Sequence, residues 1–397
     1  MARLISLSHV RVILVGGLLA SGSLRAVYAP IPEQEQGEDM AFSMRAGISH
    51  DSNLFGAATN ETSSVIFTIA PRVVYNASLT AQTFFSGAYG LTLDYFEGRP
   101  GKKLLDSHDL NLRVAHQFSK ATTVDVNNLF MISRNPESLL AGVPLNPDQS
   151  FQRNQLDARL DTAINAKVGL TVKARSVYYK YRNATLGRSL DRIENLYGVS
   201  GDYAVLPEMK AVAEYRHQEV FYRKLGETKN KTSDFIMAGF DYEVAQKLSA
   251  SARVGAEFRR RAAERDVTSP YAELTAKYDY ARASFILGGY GYSFDESSDT
   301  TRFTDMQVNR FFVNVQHSIT ALIVGSVSIG FEPSQLQGRR GVADVDEDTT
   351  RLGAALSYLP TKDWTISASY DYDRVNSDDP ARGMKRSRVA LNASHTF

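Results

Sequence analysis

Cysteine is absent from the 397 residues, and that one absence removes disulfide frameworks, thiolate metal sites and cysteine nucleophiles together. Histidine is scarce, with seven scattered copies, so a metal centre built on histidine is not expected either. Net charge is lacking as well: 45 Lys plus Arg stand against 44 Asp plus Glu, which leaves no global field to gather nucleic acid or an acidic partner. No Gly-rich phosphate loop or Walker pattern occurs, and "GGYGY" falls inside a strand pattern, where glycine marks a bend or a close approach. The residues call for no cofactor.

Long apolar runs are missing too, with one exception at the start. Arg3, His9 and Arg11 lead into "VILVGGLLASGSL", Val12 to Leu24, and small residues follow. The run is shorter than the roughly 20 residues a transmembrane helix needs. Its charged lead and small-residue exit fit a secretory signal over residues 1–29, cut between Gly22 and Ala29. Residues 30–38 then read as a short periplasmic segment and residues 39–397 as the folded part. An exported chain with no helix-length apolar segment is either soluble or a β-barrel.

What the chain has instead is alternation. In "DWTISASYDYD", Trp364, Ile366, Ala368, Tyr370 and Tyr372 share one face while Thr365, Ser367, Ser369, Asp371 and Asp373 share the other. One face suits lipid and the other water. Eighteen such segments are centred near residues 44, 69, 87, 111, 127, 158, 175, 198, 215, 238, 254, 275, 287, 311, 327, 354, 368 and 391. The links between them alternate in length: short ones such as Asn76 to Ser78 and Pro360 to Lys362, long ones such as "RNPESLLAGVPLNPDQS" and "SQLQGRRGVADVDED". Outer-membrane barrels have short periplasmic turns and long extracellular loops. The expected fold is therefore all-β: a transmembrane antiparallel barrel of about 18 strands in the outer membrane. An even strand number puts both termini on the periplasmic side. Unpaired strand edges in lipid cost several kcal/mol per group, so the first and last strands should pair.

The chain ends in Phe397, with Leu391 and Val389 on the same face of an amphipathic last strand. This resembles the terminal signature by which Gram-negative outer-membrane proteins reach their barrel-assembly machinery, with His395 where another aromatic is usual. Tyrosine and phenylalanine number 20 each and gather near segment ends, as in "YYKY" from Tyr178 to Tyr181. Rings at those depths suit the membrane interface.

One stretch carries candidate chemistry. In "ISHDSNLFG" His50, Ser52 and Asn53 resemble the His-x-Ser-Asn-Gly motif of outer-membrane phospholipases, in which a histidine takes the serine proton. Leu54 stands where that motif has glycine, no Tyr-Thr-Gln stretch precedes it, and those barrels have far fewer strands. The competing reading makes Asp51, Ser52 and Asn53 an Asx-type turn, with Leu54 and Phe55 packed back at the rim. A non-enzymatic barrel is the favoured expectation.

A broader resemblance runs from "AFSMRAGISHDSNLF" through "SSVIFTIAPRVVYNASL". These segments look like the start of the β-barrel porin family found in exopolysaccharide biosynthesis operons. Its members open with a strand ending in aromatic-Asp-Ser/Asp-Asn-hydrophobic-Phe, followed by a proline-bearing strand. Asp51, Ser52, Asn53, Leu54 and Phe55 match, then Pro71, Val73 and Tyr75, and His50 replaces the aromatic. The resemblance implies an outer-membrane channel in or beside polysaccharide export. Outer-membrane lipid, polysaccharide and periplasmic export components would be its partners.

Alternation also assigns the inner wall, with twelve basic and ten acidic positions pointing inward. Among them Arg159, Lys173, Arg175, Arg216, Arg253 and Arg259 form a basic ladder that could guide an anionic polymer, or pair within the wall. The loop Arg134 to Ser150, with Pro136, Pro144 and Pro147, is the candidate constriction. The acidic stretch "VADVDEDTT" lacks the glycine and closing glutamate of an EF-hand loop and reads as a solvated loop. No metal site is expected. A lipid hydrolase using His50 and Ser52, and a non-conducting structural or adhesin barrel, remain the alternatives.

Overall fold

The computed structural model describes residues 39–133, 150–244, 247–262, 266–297, 299 and 302–397. The expected signal segment, the 30–38 segment and the constricting loop with its three prolines lie outside the described residues, apart from Ser150.

Eighteen strands are present. They are β1 (Met40–Asp51), β2 (Ser64–Thr80), β3 (Thr83–Phe96), β4 (Leu104–Gln117), β5 (Thr122–Ser133) and β6 (Phe151–Ala163). Next come β7 (Val168–Tyr181), β8 (Arg192–Leu206), β9 (Met209–Tyr222), β10 (Lys231–Val244), β11 (Leu248–Arg261) and β12 (Val267–Ala281). The last six are β13 (Ser284–Glu296), β14 (Phe303–Ser318), β15 (Ile323–Gly338), β16 (Val345–Tyr358), β17 (Trp364–Ser377) and β18 (Met384–Thr396). Each pairs antiparallel with its neighbour in sequence. β1 pairs with β18 from Ser43↔Thr396 to Asp51↔Arg388, and this closes the barrel. Closure matters because it leaves no strand edge without partners in lipid.

The alternation sorts the side chains. On β1, Met40, Met44 and Ile48 are exposed on the outer face, while Asp51 is buried on the inner one. β16 and β17 repeat the pattern with Leu352, Leu356, Trp364, Ile366 and Tyr370 outward. An apolar outer band with no helix behind it is the surface a bilayer covers. Among the described residues no helix is long and apolar enough to cross a membrane. Tyr75, Tyr203, Tyr278, Tyr358 and Trp364 lie exposed toward the short-turn end, Tyr95 and Tyr197 toward the long-loop end, and Tyr215 and Tyr370 at mid-wall. In "YYKY" the girdle reading fails for two rings: Tyr179 and Tyr181 are buried on the inner face beside Val177, because period two sends alternate residues inward.

Three boundaries differ from expectation. The expected turn at Asn76 to Ser78 is strand; pairing continues to Thr80↔Thr83, since the Asn76 amide oxygen accepts a 2.7 Å hydrogen bond from Ser86 across the ladder. The acidic loop is largely β16, and alternation splits its carboxylates, leaving Glu347 buried inward and Asp346 and Asp348 exposed. The stretch "NATLGRS" begins a short helix, α1 (Ala184–Leu190), capped by Asn183, whose side-chain oxygen accepts from the Thr185 and Leu186 amides. A second turn of helix, α2 (Gly226–Lys229), precedes β10.

Candidate functional site

The motif "DSNLF" lies where β1 leaves the wall. Asp51 is buried and accepts two 3.0 Å hydrogen bonds from Arg386 Nε on β18. Asn53 is also buried. Its amide nitrogen donates to the carbonyls of Ala57 at 2.8 Å and Lys385 at 3.0 Å, and its oxygen accepts from the Ala57 amide at 2.9 Å. The Asn53 amide in turn donates to Asp51 Oδ1, closing an Asx turn. These residues join loop and seam, so the motif fastens the first strand to the last at the long-loop rim.

Ser52 and His50 take different parts. The Ser52 hydroxyl accepts a 2.8 Å hydrogen bond from the Ser387 amide. His50 stands exposed on the outer face, opposite Val389 and Val65 in the register. Among the described residues no hydrogen bond joins the two, and a hydrolase needs that contact.

Leu54 and Phe55 turn into the barrel and pack on Ile66, Phe96 and Leu105. Inward-folded segments recur around this end. Helix α1 places Leu190 and Leu186 against Val177, Tyr179, Tyr181 and Phe151, all inward positions. Phe303, Met306, Val308 and Leu336 form another cluster, with Val345 against it. Phe235, Met237 and Tyr271 form a fourth. Each buries apolar side chains inside the mouth, so the lumen narrows from the long-loop end.

The six ladder residues are all paired, Arg216 and Arg259 buried among the packed side chains and Arg159 well exposed nearer the short turns. Arg216 meets Glu214 at 2.8 Å and Glu273 at 3.6 Å, and it also donates to the Tyr271 hydroxyl at 3.2 Å. Lys173 reaches the same Glu214 at 3.4 Å. Arg253 binds Asp241 at 2.8 Å, Arg159 binds Asp161 at 2.6 Å, and Arg175 pairs with Asp157. Arg259 joins Glu257 at 2.9 Å and Asp305 at 3.0 Å. Cations held this way stiffen the wall and present little free charge. From mid-wall to the short-turn end the pairs are more open to solvent, as in Arg72–Asp109 at 3.5 Å, Lys210–Asp202 at 3.3 Å and Lys277–Asp279 at 2.9 Å.

Sequence reasoning missed a tie between loops. Arg302, just before β14, bridges Asp299 at 2.6 Å and Asp379, in the β17–β18 loop, at 2.7 Å. The guanidinium hydrogen bond holds the Asp379 carboxyl below the usual carboxylate range. Arg382 from the same loop pairs with buried Glu347 at 2.9 Å, and both arginines lie over the Phe303 ring. The link is unreadable from sequence because its members are 77 residues apart.

At the other end Phe397 donates its amide to Phe42 at 2.8 Å. Its ring lies 5.2 Å from Phe42 and 4.4 Å from His395, which is 4.7 Å from Trp364. The terminal aromatic thus sits in an outward row that spans the seam.

The chain matches no protein-family model and no curated protein. Among solved structures, a BenF-like porin from Pseudomonas fluorescens Pf-5 aligns over 91% of this chain and 99% of its own, with TM-score 0.51 and 10% identity. OccK7 (OpdD) from Pseudomonas aeruginosa aligns over 90% and 98%, with TM-score 0.49 and 11% identity. The barrel is similar in fold to an outer-membrane porin, a closed antiparallel wall of 18 strands.

Proposed function

We propose that the protein is an outer-membrane channel through which a hydrophilic solute passes, with the long-loop mouth as its constriction. The observation that carries this reading is the two-sided wall: an apolar band outward, and inward a lining of ion pairs that opens toward the short-turn end. The short turns then face the periplasm, as do both termini, and the leader at residues 1–29 directs export. Phe397 serves delivery to the barrel-assembly machinery. No residue performs chemistry on this reading.

The solute we propose is an envelope or extracellular polysaccharide, in concert with periplasmic export components. The resemblance at Asp51 to Phe55 and at Pro71 to Tyr75 supports that finer assignment. The paired state of Arg216 and Arg259 favours a polymer of low charge over a strongly anionic one. Single-channel recording in planar bilayers tests the channel, and current block by neutral against anionic oligosaccharides tests the solute. A folded barrel that never conducts would overturn the channel; indifference to every oligosaccharide would overturn the polysaccharide alone.

A further inference from the structure

The outer wall carries a recess that the channel reading does not use. Across β14–β17, toward the short-turn end, a crevice of about 540 Å³ is lined by Val315, His317, Gly325, Ala354, Leu356 and Ala368, among others. That volume falls within the range of small-molecule sites. The register explains it. His317 lies opposite Gly325, which lies opposite Leu356, which lies opposite Ala368. In the next outward row Val315 meets Val327, then Ala354, then Tyr370. Gly325, Ala354 and Ala368 make the floor between taller neighbours. Three strand spacings give a width of about 14 Å.

We propose that this crevice holds an acyl chain of a single glycerophospholipid, with its phosphate met by Arg282 in the adjoining β12–β13 turn. The recess lies in the outward apolar band, where its surroundings are hydrocarbon unless protein covers it. Its mouth is built for an interface: the Tyr280 hydroxyl hydrogen-bonds the His317 ring nitrogen at 3.0 Å, and the two rings stack with centroids 5.9 Å apart. Such half-polar rings belong at headgroup depth, and the β12–β13 turn beside them places Arg282 on an exposed tip. A second copy of the chain would need a protruding ridge to fill the recess. The choice of phospholipid over a lipid A-type molecule rests on the short-turn end facing the periplasm, as proposed above.

Native mass spectrometry of the detergent-extracted barrel reads retained phospholipid and lipid A as separate masses. The full-length mature protein should keep one phospholipid, and Ala354→Phe with Ala368→Phe should lower its occupancy at least several-fold. Ala213→Phe, an outward exposed alanine on β9, should leave it unchanged. Should the double variant fail to fold, Ala354→Leu replaces it, with folding checked by heat-modifiable gel migration. A second readout uses the single tryptophan, Trp364, on the same face of β17 as Ala368. In phosphatidylcholine vesicles holding a minor fraction of brominated phosphatidylglycerol, quenching of Trp364 should exceed the statistical value and return to it on filling. Loss of the proposal follows from equal retention in the filled variant, from retained lipid A in place of phospholipid, or from an oligomer that filling dissociates. Conductance is read separately, so failure here leaves the channel reading standing.

Discussion

At the scale of single residues, the rim motif owes its letters to hydrogen bonding. Asn53 supplies both a donor and an acceptor to Ala57 and a further donor to Lys385. Asn53→Ala removes all three bonds and leaves buried partners unsatisfied, at a cost on the order of 2–3 kcal/mol. Ser52→Ala loses one acceptor and should cost about 1 kcal/mol or less. Urea titration of tryptophan emission on the two variants checks the order; a larger loss for Ser52→Ala would overturn it. The tie between loops has a pH signature with a definite sign. Because Arg302 lowers the Asp379 pKa in the folded state, the bridge is at full strength above the unfolded carboxyl value, near 3.9. It is lost as pH falls through the lower folded value. Amide protection in residues 378–383, corrected for the intrinsic pH dependence of exchange, should hold above the unfolded carboxyl value and fall below it, and Asp379→Asn should lack that protection throughout.

At the scale of elements, each of the eighteen alternating segments in the sequence corresponds to a strand, because a wall between lipid and water leaves its period in every strand. Strand length was less legible. Asn76 is a turn-former by propensity, yet Ser86 satisfies its side chain across the ladder, so pairing overrides the local signal. The inward-folding loops were legible only at Leu54 and Phe55: α1 packs on Val177, Tyr179 and Tyr181 of the strand before it without any strand period to announce it, and the Phe303 cluster depends on Leu336 farther along the chain. At the candidate site the sequence placed charges by parity but said nothing of partners; Arg253 and Asp241 find each other through the β10–β11 register. That pair of strands makes its own prediction. A Cβ built on Gly239 would lie 1.8 Å from the Ala252 carbonyl oxygen, so only glycine permits so close an approach. Gly239→Val should destabilise the barrel by roughly 1–3 kcal/mol, while Gly201→Ala, with nothing within 4 Å, should be near neutral. Equal effects on heat-modifiable migration would refute the contrast.

At the scale of the whole molecule, the barrel is asymmetric along its axis, and this asymmetry sets what passage would look like. Polar wall groups become more open toward the short-turn end, whereas apolar clusters and buried ion pairs occupy the long-loop end. In the proposed channel, resistance to ion flow should therefore concentrate where α1, the β1–β2 loop and the Phe303 cluster project inward. Helix α1 can be removed without touching the wall, because residues 184–190 lie outside the strand ladder and pack on it through Leu186 and Leu190. Replacing them with a short Gly-Ser linker should raise single-channel conductance several-fold. The ratio of cation to anion permeability should stay near unity, since the paired wall cations set no net sign. A linker variant with unchanged conductance would place the resistance elsewhere in the lumen. A strong anion preference, in contrast, would mean that Arg216, Arg253 and Arg259 act as free charges despite their carboxylate partners.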